Sequence, residues 1–207
     1  MSSRQFDRKV ALIWDELRPV TRKMLAGAMK SGPSQPLSTT APKFFYDATA
    51  DWEVSRLLTA LDEEAKVPAN KKNKKRLNEI VKLADVCVRV LETQSASAEV
   101  FDLLAERALR DNDYDRLERL AENLADRYSA GEIAEIIRQT EYPQVRAIAY
   151  ETLAMLPVDV IAPLLDDGLY FEIALYALEQ KAFEFDSEEA RELLDQMELQ
   201  ARFVPQS

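Results

Sequence analysis

The stretch DNDYDRLERLAE, Asp111 to Glu122, carries carboxylates at its first, third, fifth and twelfth positions. That is the oxygen spacing of a helix-flanked calcium loop, which also requires glycine at its sixth position for a sharp turn. Arg116 stands there instead. The spacing therefore predicts a turn between two helices, with Asn112 or Asp113 capping the second and the acids favouring its N-terminal dipole. No metal is expected.

A basic run, KVPANKKNKKR from Lys66 to Arg76, is the sharpest charge cluster in the chain. Cations at a helix N-terminus oppose the dipole, so helix stability does not account for them. Lys71, Lys72, Lys74, Lys75 and Arg76 are the candidate interaction residues. They would meet an acidic surface, or phosphates of nucleic acid or lipid, or else form a plain solvated turn.

Two carboxylate pairs, Asp166–Asp167 and Glu188–Glu189, have the composition of an acid and base couple. Both fall at predicted helix boundaries, where capping and dipole interactions account for them. The chain of 207 residues has no histidine, which removes the usual general base near neutral pH and the commonest metal ligand. Its one cysteine, Cys87, lies between Val86 and Val88 and reads as a buried thiol with no histidine to activate it. Glycine-rich phosphate loops are absent. No catalytic residue, cofactor or metal ligand is assigned, and a non-enzymatic role is the expectation.

The elements that would position these residues are helices. Only four glycines accompany a hydrophobic fraction of 47%, and Ala, Leu, Glu and Arg are abundant. A first helix is predicted from Ser3 to Lys30, kinked at Pro19, with Phe6, Val10, Ile13, Trp14, Leu17, Met24 and Leu25 inward. Residues 31–44, rich in Pro, Ser and Thr, read as an extended loop. A second helix from Asp51 to Ala65 should bury Trp52, Leu57, Leu58 and Leu61. A third should start at Asn70 as N-cap and bury Leu77, Ile80, Val81, Ala84, Val88 and Leu91. The small polar residues from Thr93 to Ala98 end it.

Charge divides the chain. Residues 1–96 hold 17 Lys and Arg against 12 Asp and Glu, whereas residues 97–207 hold 10 against 25. The acidic part should repel nucleic acid and anionic membrane and attract basic partners. The charged N-terminus and the lack of a long apolar run predict a cytoplasmic protein with no membrane span.

Beyond residue 96 the sequence repeats with a period of 28 residues. Ala105, Ile133 and Ile161 correspond, as do Ala108, Ile136 and Leu164, and Leu109, Ile137 and Leu165. Tyr114, Tyr142 and Tyr170 form a column, followed by Leu117, Val145 and Ile173, by Leu120, Ile148 and Tyr176, and by Ala121, Ala149 and Ala177. The tyrosines read as packing between copies. Each copy is two short helices with a turn at the tyrosine. Ser129 to Glu132 forms a capping box, Pro143 suits a first helical turn, and Asp186 to Glu189 opens a last helix with Leu193, Leu194 and Met197.

In the middle copy, Val145, Arg146, Ala149 and Leu153 give a V-R-x-x-A-x-x-x-L pattern that resembles a HEAT-type repeat. Glu118 and Ala174 replace the arginine in the flanking copies. Composition predicts an all-α fold, and since one amphipathic hairpin cannot bury its own face the copies must stack: a short right-handed α-solenoid of about three hairpins over 97–207, with a C-terminal capping helix, packed with three N-terminal helices over 1–96. The resemblance implies a curved helical surface that binds macromolecules. The expected function is a protein interaction module or adaptor with an acidic surface. HEAT-like repeats also scaffold certain DNA glycosylases, the alternative; the acidic repeat half and the position of Trp14 and Trp52 outside it argue against nucleic acid.

Overall fold

The computed structural model describes residues 8–30 and 46–203, with side chains defined to residue 199. Phe6, the start of the first predicted helix and the predicted loop at 31–44 lie outside the described residues. Every regular element among the described residues is helical, and the fold divides into two compact units at Val100 and Phe101.

The first unit is built from α1 (Arg8–Glu16), α2 (Pro19–Lys30), α3 (Ala48–Lys66), the short α4 (Pro68–Lys72) and α5 (Lys74–Gln94). Helix α3 is its centre, packing on α1, α2 and α5. Pro19 does more than kink a continuous helix: it separates α1 from α2 and occupies the first turn of the latter, where a missing N–H costs nothing. The inward side of α3 is Val54, Leu57, Leu58 and Leu61, facing Ile80, Leu83, Ala84, Val88 and Leu91 of α5, all essentially without solvent contact. Each such leucine contributes roughly 1.5–3 kcal/mol by leaving water.

Two inward assignments and one cap need correction. Trp52 is 60% exposed, because the adjacent inward position belongs to Glu53, which is 4% exposed. Val81 is also exposed, since Leu83, Cys87 and Val90 carry the buried stripe of α5 instead. Asn70 does not cap the third long helix. It is buried in α4, where its side-chain amide donates to the Glu64 carbonyl at 2.9 Å, and Asn73 caps α5 by accepting the Arg76 N–H at 3.2 Å.

Helix α6 (Ala98–Asp111) crosses the division and leads into the second unit. There follow α7 (Tyr114–Glu122), α8 (Leu124–Arg127), α9 (Ala130–Gln139), α10 (Pro143–Met155), α11 (Val158–Ile161), a 3-10 segment (Ala162–Asp166), α12 (Phe171–Phe183) and α13 (Glu188–Phe203). Helix α10 packs on α7, α9 and α12, and α12 packs in turn on α13. Ala105, Ile133 and Ile161 are all buried, as are Leu117, Val145 and Ile173. Other equivalent positions diverge: Leu120 is buried and Ile148 half-buried, whereas Tyr176 is 53% exposed. The helix before Tyr170 is short and tightens to 3-10 geometry at Pro163, whose ring and missing N–H break an α-helical ladder.

The boundaries follow local chemistry. Ser129 caps α9 by accepting the Glu132 N–H at 3.2 Å, and Pro143 begins α10. Helix α13 is capped by Ser187, which accepts the Ala190 N–H at 3.3 Å, while Asp186 takes a left-handed conformation before it.

Candidate functional site

The Asp111–Glu122 stretch is a turn in which one helix end and the next helix start share three residues. Asn112 adopts φ 54°, the left-handed conformation that asparagine tolerates well. The Asn112 N–H then donates to the Leu109 carbonyl at 3.1 Å and the Asp113 N–H to that of Ala108 at 2.8 Å, which closes the end of α6. Asp113 immediately caps α7 by accepting the Arg116 N–H at 3.1 Å. Asp111 lies 3.6 Å from the Arg110 guanidinium and 4.0 Å from that of Arg107. Among the described residues, no group of three or more His, Cys, Asp or Glu side chains is placed to hold a metal ion. Asp167 accepts the Leu169 N–H at 2.9 Å in the turn before α12, and Glu188 and Glu189 are exposed in the first turn of α13.

The basic run separates into two kinds of residue. Lys71 and Lys72 end α4, Lys74 and Lys75 begin α5, and all four are exposed around Asn73. Arg76 turns inward, its guanidinium 2.8 Å from the carboxylate of Glu64, whose side chain is 3% exposed. The structure thus keeps four lysines at the surface and gives the arginine a packing partner.

A second charged cluster in the same unit escaped the sequence pattern. Glu53 reaches from α3 to the start of α2, where Oε1 accepts the Arg18 N–H at 2.7 Å and Oε2 accepts the Arg18 Nε–H at 3.0 Å and the Thr21 hydroxyl at 2.5 Å. The rest of the Arg18 guanidinium forks onto Asp47 at 2.9 and 2.6 Å, and Asp47 in turn caps α3 by accepting the Ala50 N–H at 2.8 Å. Burial pushes the Glu53 carboxyl up, but the Thr21 hydroxyl and the Arg18 N–H groups outweigh it and leave it below its usual range. The Arg18 guanidinium and the Ala50 N–H hold Asp47 down at about 2. This clasp joins the start of α2 to α3. Both carboxylate oxygens of Glu53 are thus engaged by donors from α2 and its start.

Trp52 lies beside that clasp with the Arg56 guanidinium 5.2 Å from its ring centroid. Leu12, 54% exposed, and Ile13 line the adjoining groove between α1 and α3. The groove is edged by the ion pairs Lys9–Glu63 at 2.5 Å and Arg56–Glu16 at 2.7 Å. Its charges are balanced.

In the second unit the tyrosine column divides as its surroundings do. The Tyr170 hydroxyl donates to Glu135 of α9 at 3.0 Å, and Arg138 holds the same carboxylate with two bonds of 2.7 and 2.5 Å. Tyr142 lies near Glu106 and Asp102 of α6, and burial followed by the Glu106 and Asp102 charges raises its phenol. The Tyr170 bond ties the turn before α12 to α9. Tyr114, first in the column, is 63% exposed. Arg146, the arginine of the V-R-x-x-A pattern, donates to the Thr140 carbonyl at 2.5 Å and so pins the turn ahead of α10.

The least expected feature is on α12. Its inward side, Ile173, Ala174, Ala177, Leu178 and Ala182, is buried, yet Tyr176 and Phe183 on the outward side are 53% and 74% exposed. Glu172 and Glu179 share that outward side, and Tyr150 of α10 meets Tyr176 edge-on with ring centroids 4.9 Å apart. The sequence signal was present: α12 is apolar around more of its circumference than one buried face requires. No single helix among the described residues is long and apolar enough to cross a membrane. No protein-family model, curated protein or solved structure matches the chain.

Proposed function

We propose that the chain is a non-enzymatic protein interaction module, an acidic HEAT-like array of helical hairpins that engages a basic partner protein. The observation that carries this reading is the outward surface of α10 and α12, where Glu151, Glu172 and Glu179 are exposed and form no ion pair among the described residues. Residues 101–207 hold 24 acidic against 10 basic side chains, so a negative field extends over that surface. Such a field speeds encounter with a positive partner and sets specificity more than affinity. Recurrence of buried residues 28 apart and turn contacts from Tyr170 and Arg146 support the stacked-hairpin arrangement.

A pull-down of the tagged chain from its source cells, with a nuclease-treated lane and mass spectrometry, tests the reading. A recurring protein that survives nuclease and leaves the resin as salt rises is the expected outcome. Recovery of nucleic acid alone, or of nothing, refutes it. The four exposed lysines around Asn73 favour a second reading, phosphate binding by the first unit. In that case retention on immobilised DNA should fall steeply with salt, and replacing the lysines should flatten the slope by about one per lost phosphate contact.

A further inference from the structure

We infer that the outward face of α10 and α12 is the docking site of the module, and that it takes a lysine- or arginine-rich protein segment bearing apolar anchor side chains. The inference rests on the interaction-module reading and adds a location and a partner chemistry to it. Glu172, Tyr176, Glu179 and Phe183 follow one another at spacings of four, three and four, which brings all four onto one side of a helix. Tyr176 and Phe183 are thus two turns apart, about 10 Å along the axis. Tyr150 lies against Tyr176 and extends the aromatic surface to α10, and Phe185, two residues beyond the end of α12, is 45% exposed.

Folding of the unit does not require these outward aromatics. The opposite side of α12 already fills the contact with α10 and α13 with five buried residues. Two large rings left in water on one stripe are the usual anchors of a recognition surface, and aromatic residues dominate binding energy where they become buried.

The charge around the rings selects the partner. Glu172 and Glu179 alternate with the aromatics, and Glu151 and Glu184 stand exposed nearby on α10 and beyond the end of α12. The one lysine of α12, Lys181, is directed to the other side and donates to the Ala154 carbonyl at 3.2 Å. Arg146 borders the patch through Tyr150 but is engaged by the Thr140 carbonyl. A cationic segment would pair with the glutamates and stack on the ring faces, while its apolar side chains cover Tyr176 and Phe183. An acidic or phosphate-bearing ligand would meet repulsion at every edge except Arg146.

Anisotropy of fluorescein-labelled peptides added to the full chain tests the site. The probes are an amphipathic lysine–leucine peptide, the same charge pattern with serine replacing leucine, and a glutamate–leucine peptide. The lysine–leucine peptide should bind best, and Phe183→Ala should weaken it by about tenfold, as a central aromatic anchor does. Glu172→Gln with Glu179→Gln should weaken it and reduce its salt dependence, while Tyr114→Ala, an exposed tyrosine elsewhere in the unit, should leave it within about twofold. Circular dichroism checks that each variant folds; Phe183 is the most exposed of the large apolar residues among those described, so its loss should not disturb the core. Equal binding of the lysine–serine peptide, or indifference to Phe183→Ala, overturns the site. A pull-down partner still captured by Tyr176→Ala with Phe183→Ala would leave the module reading standing and sink only this face; failure to capture any protein with the unaltered chain sinks both.

Discussion

Replacing Glu53 with alanine should destabilise the first unit by about 3 kcal/mol, because it strips three donors of their acceptor in a site only 4% exposed. The Arg18 guanidinium is assigned no share of this figure, since its side chain is 34% exposed and keeps its fork on Asp47. The cost falls on the Arg18 backbone N–H at the start of α2 and on the Thr21 hydroxyl, which is 1% exposed. Each loses a charged acceptor, and a buried donor left unpaired costs about 1–3 kcal/mol. For a unit of about 100 residues, 3 kcal/mol lowers the midpoint by roughly 12–24 °C. The measurement can be made on this unit selectively, because both tryptophans, Trp14 and Trp52, belong to it. Urea unfolding followed by tryptophan emission should show the shift in full. Glu53→Gln should recover part of the loss, because its amide oxygen still accepts one bond. A loss under about 1 kcal/mol for alanine, or equal losses for alanine and glutamine, would refute the reasoning that a charged acceptor holds α2 in place.

Acid should act through the same clasp. The folded-state carboxyls of Glu53 and Asp47 lie below their unfolded values, so their stabilisation is complete above about pH 5 and is lost as pH falls through the folded values, about 2 for Asp47; an acid titration followed by tryptophan emission should show this, and Glu53→Gln should flatten it. Arg76→Ala should cost about 3 kcal/mol in urea, because it leaves the buried Glu64 carboxylate without its guanidinium. Replacing Lys71, Lys72, Lys74 and Lys75 together should instead remain within about 0.5 kcal/mol per site, as for exposed residues generally. Tyr170→Phe should cost about 1 kcal/mol by removing the bond to Glu135, visible in thermal melts followed by far-ultraviolet circular dichroism. Burial and Glu135 raise the Tyr170 phenol, so this contribution is present below about pH 10 and is lost as pH rises through the folded value.

Helical class and most inward positions were legible because periodicity reports burial directly. Val10, Ile13, Leu17 and Leu25 were placed inward by spacing alone and are buried. Caps at Ser129 and Asp113 and the first-turn Pro143 were legible because each is a local event among three or four residues. Glu53 was not, since a glutamate on a helix reads as solvent-facing until Arg18 and Thr21, 35 and 32 positions away, supply its donors. Trp52 was misplaced for the complementary reason: its apolar character suggested burial, whereas the neighbouring Glu53 had taken the inward position. The aromatic stripe of α12 required knowing which side of that helix the neighbours cover. Repetition identified Tyr176 as an equivalent of Leu120, but not that it would face outward.

Cys87 gives the first unit a clock. It is the only thiol in the chain and has no solvent contact, set in α5 among Leu83, Ala84, Val88, Val90 and Leu91. An alkylating reagent can reach it only when that layer opens, so the labelling rate of native protein counts opening events. At low reagent the rate should report the open population, and at high reagent it should plateau at the opening rate itself. Residues 101–207 contribute no thiol, and the count therefore belongs to one half of the chain alone.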